Sequence, residues 1–381
     1  NIAQNKYTFT PETRQTDFGT INGGLRLTVF FDGQEVDAFT TYLGALSLHY
    51  HPRPSLSLKL ISSVFRSQEE ETFDILGQYW LDELERDLSS EDFGDVAFNR
   101  GVGSFLDHGR NELNALIYNI EHKGKYYEDN YTLLWGLKFQ QEHVDDKLNE
   151  WTMIDSAGYS VPQTPRDEIQ LSEVYRADTS IISERIMGYA QVNNEWDLKD
   201  NSTAYLTSGA RFNYWTFNNQ TTVSPRITLA WKPNWKQRKD TIKYKDFVFK
   251  AAWGFYHQPA LYREMRALDG HINPEIKAQQ SVHYVLGSDY QFKAWGNRKF
   301  KLTNEIYYKQ LDNLIPYEID NVRIRYYATN NSRGYAMGFE SKIHGQFVKD
   351  IDSWASIGIM KIEEDIKDDF YIEYQDADGN K

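Results

Sequence analysis

Nine histidines are spread along the 381 residues, at His49, His51, His108, His122, His143, His257, His271, His283 and His344. A protein metal site needs donors at short fixed spacings, and none of these has such a neighbour. His257, in the run Tyr256-His-Gln-Pro259, is the best placed to touch a ligand, beside Tyr262 and Arg263. The plainer reading of it is loop filler. Adjacent acids stand at Asp145-Asp146 and Glu363-Glu364. General acid–base chemistry needs a positioned, partly desolvated pair, and side-by-side exposed acids are a solvated surface. The acidic runs at 69–71, 365–369 and 376–378 lack the spaced Asp/Asn-Gly pattern of a calcium loop, so solvation is the default. Gly101-Val-Gly103 is not followed by a phosphate-loop pattern, and there is no nucleophile elbow. Cysteine is absent, which removes disulfides, thiolate zinc sites and Cys nucleophiles. The chain therefore does not read as an enzyme, and neither cofactor nor metal is expected. What could bind is aromatic. Tyr256, Tyr262, Tyr317, Tyr326 and Tyr327 fall in or beside expected loops, where ring faces supply contact area at low entropy cost.

Composition narrows the class. Aromatics are 15% of residues, with 26 Tyr, 21 Phe and 10 Trp. The net charge of −13 argues against a nucleic-acid binder, which needs clustered Lys and Arg. Mean hydropathy is −0.66, and no run is long and apolar enough for a membrane helix. A membrane β-barrel escapes that test, because only alternate residues of each strand face lipid. Lack of cysteine suits passage through an oxidising periplasm. No signal peptide stands at Asn1, and the end at Asp378-Gly-Asn-Lys381 reads as loop, so the expectation is an internal piece of a longer protein.

The elements that must position these residues read as strands, most plainly between Ile182 and Pro233. Ala204, Leu206, Ser208, Ala210, Phe212 and Tyr214 alternate with Tyr205, Thr207, Gly209, Arg211 and Asn213. Ile227, Leu229 and Trp231 alternate with Arg226, Thr228, Ala230 and Lys232. Side chains alternate faces with period two, so one face is apolar and the other polar. Similar alternation recurs at 24–31, 42–50, 56–64, 112–121, 131–140, 247–256, 282–292, 300–309 and 335–359. About thirteen strands are expected. The first 22 residues read as irregular, and Asp32–Asp37 as a short connection. Residues 66–110 and 141–181 read as long insertions. The first carries a short amphipathic helix through Ile75, Leu76, Tyr79, Trp80 and Leu84. Further long loops are expected at 258–279 and 312–333, the latter with a hairpin near Asn321–Tyr327, and a basic connector at 234–245. Short turns fall at 51–55, 123–129, 197–202, 294–299 and 348–352, and an acidic loop follows Glu363. Tyr50, Trp196, Tyr214, Trp215, Trp231, Tyr308 and Trp354 crowd strand ends, where interfacial girdles belong. Short turns on one side and long loops on the other make an all-β, transmembrane, antiparallel up-and-down barrel the expected fold. A soluble sandwich or propeller is the alternative, with the apolar face buried in a dry interior.

Six runs in order carry a resemblance: Tyr189–Trp196, Thr207–Phe212, Val223–Ile227, Ala251–Tyr256, Asn273–Ile276 and Val285–Asp289. Their Tyr-x-Gln, Gly-x-Arg-Phe and Ser-Pro-Arg patterns resemble the barrel of TonB-dependent outer-membrane receptors, with loops like those of the Bacteroidota branch. The resemblance covers Ile182 to Gly345 best and extends to the flanks. It implies part of a plugged barrel of about 22 strands, with extracellular long loops and periplasmic short turns. It implies a place in the outer membrane of a Gram-negative bacterium, among outer-membrane lipids. It also implies import of a scarce ligand (siderophore, vitamin, glycan or peptide), driven by the TonB–ExbB–ExbD system through a plug. The plug and the C-terminal strands are not in residues 1–381. A surface lipoprotein or a larger outer-membrane complex is the further partner it suggests, and nucleic acid is not one. Arg211, Lys250, Glu305, Lys309, Glu340 and Lys342 would then face the lumen, pairing with each other or the plug, or lining the substrate path. The remaining alternatives are a structural barrel subunit of a larger complex and a passive porin-like channel.

Overall fold

A computed structural model describes residues 1–20, 23–155, 170–199, 201–236, 244–320 and 323–369. The strands are β1 Ile2–Phe9, β2 Arg14–Thr20, β3 Gly23–Arg53, β4 Leu56–Leu84, β5 Val96–Glu128, β6 Tyr131–Asp155, β7 Gln170–Asp197, β8 Thr203–Trp215 and β9 Gln220–Lys232. They continue with β10 Trp235–Lys236, β11 Tyr244–Gln258, β12 Gln279–Ala294, β13 Arg298–Leu314, β14 Tyr317–Asp320, β15 Arg323–Tyr326, β16 Ser332–Val348 and β17 Ile351–Ile366. A single 3-10 turn, Tyr262–Met265, is the helical element among the described residues. One sheet runs β1-β3-β4-β5-β6-β7-β8-β9-β11-β12-β13-β16-β17, with β2 and β10 as side pairings, and β14-β15 form a separate hairpin. Apart from the step around β10 and that around the β14-β15 hairpin, neighbours along β3 to β17 are consecutive in sequence. That is the up-and-down plan.

The alternation of side chains accounts for the two faces. Leu206, Leu229, Ala251, Leu286, Ile306, Phe339 and Ile359 oppose one another in turn across β8, β9, β11, β12, β13, β16 and β17. Leu229 is 47%, Leu286 61%, Ile306 55% and Ile359 69% exposed. A soluble fold would bury such a row; a membrane wall turns it outward. One residue along, the other face reads Ala230, Lys250, Gly287, Glu305, Glu340 and Gly358. Aromatics bound the apolar band. Trp253, Tyr284 and Tyr308 are direct cross-strand neighbours on the loop side. Phe247 stacks on Tyr290 at 4.1 Å, and Tyr290 on Phe292 at 5.1 Å, on the turn side. The interval Tyr284–Phe292 matches the roughly nine to eleven residues with which a tilted strand crosses a bilayer.

Two members of the expected girdle are elsewhere. Trp215 is 1% exposed, on the parity of Tyr205 and Arg211. Trp354 lies beneath the Lys342 ammonium, 5.1 Å from ring centre to Nζ, on the polar face.

The expected long insertions are mostly strand. The connection in the 66–110 stretch shrinks to 85–95, and the expected helix at 75–84 is the end of β4. Ser67, Phe73 and Gly77 are buried while Leu76 and Trp80 are exposed, which is period two. Apolar residues on both faces satisfied the helical spacing by coincidence, and cross-strand pairing decided the outcome. Likewise β6 reaches Asp155 and β7 starts at Gln170, with 156–169 outside the described residues. The first 20 residues are not irregular: β1 and β2 pair in register with Glu35–Tyr42 and Gly23–Val29 of β3. The expected connection at Asp32–Asp37 lies inside β3. Gly33 there has φ +106°, and a side chain would strike the Asp74 carbonyl, so the site admits only glycine without rearrangement. Strand β5 runs to Glu128, so its turn is at 129–130, and β17 continues to Ile366 where an acidic loop was expected. Of the basic connector, β10 pairs with Tyr244 and Lys245, and 237–243 lie outside the described residues. The acidic run 376–378 lies outside them as well.

Close packing groups the chain into two units. The first comprises Asn1–Ala45, Ser63–Tyr118 and Gln141–Ile182. The second comprises Leu46–Ser62, Asn119–Gln140 and Ser183–Lys381.

Candidate functional site

Antiparallel alternation puts the β8–β9, β11–β12 and β13–β16 connections of the second unit at the same strand ends. These three segments are joined by amides. Asn218 Nδ2 donates to the Ile276 carbonyl at 2.7 Å, and the Ala278 N–H donates to Gln220 Oε1 at 2.8 Å. Asn273 Nδ2 donates to the Ala328 carbonyl at 2.8 Å. Asn330 accepts from the Lys277 N–H at 2.6 Å and donates to the Lys277 and Asn313 carbonyls at 3.0 and 2.8 Å. Within the longest segment, Glu264 accepts from the Leu261 N–H at 2.7 Å, which holds the 3-10 turn. Met265, Ile276 and Ala278 are buried in it, and Ala328 is buried in the connection before β16. These connections are folded structure, because their backbone groups and Asn side chains satisfy one another.

Trp215 anchors this assembly. Its Nε1 donates to Ser183 Oγ at 3.0 Å, and the Arg185 guanidinium lies 3.9 Å over its ring. Phe217 and Tyr262 flank it at 5.1 and 6.5 Å. Of the expected ligand-contacting residues, Tyr262 is thus partly engaged in packing. Arg263, in the same 3-10 turn, is exposed. Tyr317 and Tyr326 face each other across the β14-β15 hairpin at 6.0 Å. Burial raises the Tyr326 phenol above its ordinary range. The Tyr327 hydroxyl donates to Glu318 at 2.9 Å, and that bond raises its phenol too. Asp269 in the 259–278 segment is held below the usual carboxylate range by the backbone N–H of His271.

Tyr256 and His257 belong to the end of β11, below the connections. His257 Nδ1 is 3.0 Å from Ser224 Oγ. Tyr256 is sandwiched, with Arg226 4.0 Å over one side and His283 stacked at 4.1 Å. Arg226 and His283 were not singled out by sequence reasoning. Their adjacency depends on strand register, and the one local hint is Gly254 between them.

Register sets Lys250, Glu305, Lys309, Glu340 and Lys342 on one polar face, and Arg211 on its continuation through β8 and β9. Their partners differ. Asp289 collects Lys250 at 2.6 Å, Lys301 at 3.1 Å and Thr303 at 3.0 Å. Glu305 and Glu340 are direct cross-strand neighbours of like charge. Lys309 lies 4.9 Å over the Tyr307 ring.

Of the adjacent acids, Glu363 pairs with Lys361 and accepts from Tyr335, and Glu364 accepts from Ser332. Glu35, Asp37 and Glu71 bring carboxylates within 4.8 Å of one another in the first unit. They are an acidic cluster with no further sign of a ligand.

Among solved structures, the chain is similar to the copper transporter OprC, with 11% identity over 95% of this chain and 61% of that one, and a TM-score of 0.47. It is similar to a mutant of the ferric enterobactin receptor PfeA from Pseudomonas aeruginosa, with 11% identity over 94% and 62%, and a TM-score of 0.45. The RagAB peptide transporter follows, with 9% identity over 96% and 51%, and a TM-score of 0.39. The chain thus spans between half and two thirds of those proteins. No curated protein matches it. Residues 1–380 match the family described as TonB dependent receptor-like, beta-barrel. On that match, nearly end to end, the chain belongs to the TonB-dependent receptor β-barrel family.

Proposed function

We propose that this chain is the wall and outer loop assembly of an outer-membrane importer for a scarce ligand. The observation that carries the reading is the contrast of the two sheet faces: an exposed aliphatic row bounded by aromatics on one, and Lys, Glu and Arg on the other. Lipid fits the first face and a water-filled path the second. The bonded connections at 216–219, 259–278 and 315–331 offer the outer capture surface, with Tyr262, Arg263, Tyr317, Tyr326 and Tyr327 on it and Tyr256 and His257 beneath. Arg211, Lys250, Glu305, Lys309, Glu340 and Lys342 line the path. The energy source on this reading is the TonB–ExbB–ExbD system, acting through a plug on the full-length protein, in the outer membrane of a Gram-negative bacterium. A surface lipoprotein is a further partner; the RagAB structure, described as a peptide transporter, is among the similar ones. The ligand is a siderophore, vitamin, glycan or peptide.

The test compares uptake of labelled siderophore, cobalamin, oligosaccharide and peptide mixtures by cells with and without the gene, in the presence and absence of TonB. The expected result is gene-dependent uptake of one class that disappears without TonB. Gene-dependent uptake that persists without TonB identifies a passive pore instead. No gene-dependent uptake of any class leaves the structural-subunit reading.

A further inference from the structure

We infer that the β12–β13 and β16–β17 turns form one rim, built on Trp295 and Arg298, that docks on anionic phospholipid headgroups at the turn-side membrane interface. The inference rests on reading the exposed aliphatic row as the lipid-facing wall. The β12–β13 turn has a backbone that its sequence does not favour. Trp295, Gly296 and Asn297 all have positive φ, at 41°, 79° and 70°. Gly and Asn adopt that region readily, whereas a bulky aromatic rarely does. Such a conformation persists where its surroundings impose it, and it clusters at functional positions. Here Arg298 imposes it. Its Nε donates to the Trp295 carbonyl at 2.6 Å, and its Nη1 to the Phe347 carbonyl at 3.0 Å. One guanidinium thus ties the two turns together.

The result is an indole presented outward. Trp295 is 59% exposed, while Phe300 against it is 3% exposed. The Trp295 ring meets Phe300 at 5.2 Å and Phe347 at 5.7 Å. Phe300 continues through Phe292 at 5.7 Å into the Tyr290–Phe247 stack, the turn-side border of the apolar band. An indole at that border sits at headgroup depth. The charge around it is positive. Residues 293–299 hold Lys293, Arg298 and Lys299 and no acid. Lys293 and Lys299 are direct cross-strand neighbours, an unfavourable pairing of like charge. The second turn adds Lys349, with Asp350 and Asp352. Four basic residues thus stand with two acids, in a chain whose net charge is −13. Among the described residues Lys293, Lys299 and Lys349 have no ion-pair partner. Headgroups of net negative charge supply the missing counter-charge at the depth of the indole, and each basic group near such a surface adds to the attraction.

The experiment places the full-length receptor in vesicles of equal phosphatidylglycerol and phosphatidylcholine, with one lipid or the other brominated in its acyl chains. Bromine quenches nearby indoles, and the difference between wild type and Trp295→Phe isolates the emission of Trp295. Brominated phosphatidylglycerol is expected to quench that emission about twofold or more over brominated phosphatidylcholine. The ratio should fall towards unity at high salt, and also in Arg298→Gln and Lys349→Gln. Arg298→Lys, which keeps the charge, should retain most of it. Lys361→Gln, a change at a lysine paired with Glu363, should leave it unchanged. A ratio is insensitive to loosening of the turn, which alters both lipids alike. Should Arg298→Gln fail to fold, Lys349→Gln combined with Lys299→Gln carries the same expectation. Equal quenching by the two lipids in the wild type overturns the inference, as does a ratio that the variants leave unchanged. A preference abolished by added inorganic phosphate marks a free-phosphate site and overturns it too. Quenching of the other tryptophans by either lipid reports the lipid-facing wall itself, so failure of that reading shows separately.

Discussion

The two packing units treat their polar side chains differently. In the first, acids are tied to protein donors. Asn111 Nδ2 reaches Glu71 at 2.8 Å and Glu150 at 2.6 Å, and its Oδ1 accepts the Asn149 N–H at 3.1 Å. Thr152 donates to Asp107 at 2.7 Å and Asn99 to Asp82 at 2.6 Å. Glu142 and Asp146 are 2% and 5% exposed. In the second unit, among the described residues, Arg226 and Lys309 of the loop-side polar face rest on the Tyr256 and Tyr307 rings and have no acid partner. Polar groups committed to each other rigidify a wall; those left available can answer a ligand. The proposed capture surface belongs to the second unit, and the densest acid-to-amide bonding to the first.

The largest effect should come from the anchor of the second unit. Trp215→Ala should cost about 3–5 kcal/mol, because a buried indole and its bond to Ser183 are both lost. Denaturant unfolding of the refolded protein measures it. A loss under 1 kcal/mol would mean that the outer connections stand without this anchor. In the first unit, Asn111→Ala should cost about 1–3 kcal/mol by removing the amide that bonds Glu71, Glu150 and the Asn149 N–H together. The same unfolding assay applies. A loss under about 0.5 kcal/mol would break the contrast between the units. Asn330→Ala should cost about 1 kcal/mol and speed amide exchange at Lys277, since one side chain bonds three backbone groups, two of Lys277 and one of Asn313. Unchanged exchange would show the connections are held by packing alone.

The smallest effect is acidic. Asp87, in the 85–95 connection, is held below the ordinary aspartate value of 3.8 by the Ser89 hydroxyl and backbone N–H. A depressed carboxyl contributes stability above its unfolded value, and that contribution is lost as pH falls through the folded one. Amide exchange at Ser89 should therefore accelerate as pH drops below about 3.8, after correction for the intrinsic rate. An Asp87→Asn variant should lack this pH dependence.

Strand existence between 182 and 309 was legible because alternation there is clean and the turns carry residues that tolerate positive φ, such as Asn201, Asn219 and Asn297. The hairpin within 312–333 was legible too, and β14-β15 occupy it. The lengths of β4 to β7 were not. Glu69–Glu71 and Asp145-Asp146 looked like solvated loop, yet Glu71 and Asp146 lie in paired strands, Glu71 held by an amide donor. A polar residue reads as loop until its cross-strand partner is known. For the site, Tyr256 could be picked from its position at a strand end, whereas Arg226 and His283 could not.

The amino-acid order alone determined that this is a two-faced sheet, because side-chain direction along a strand follows from backbone geometry with no knowledge of neighbours. It also excluded thiol chemistry and membrane-spanning helices through composition. Which residues meet was decided only by tertiary structure. Register aligns Arg226, Gly254, His283 and Lys309 from four separate strands, and a slip of one residue would turn any of them to the opposite face.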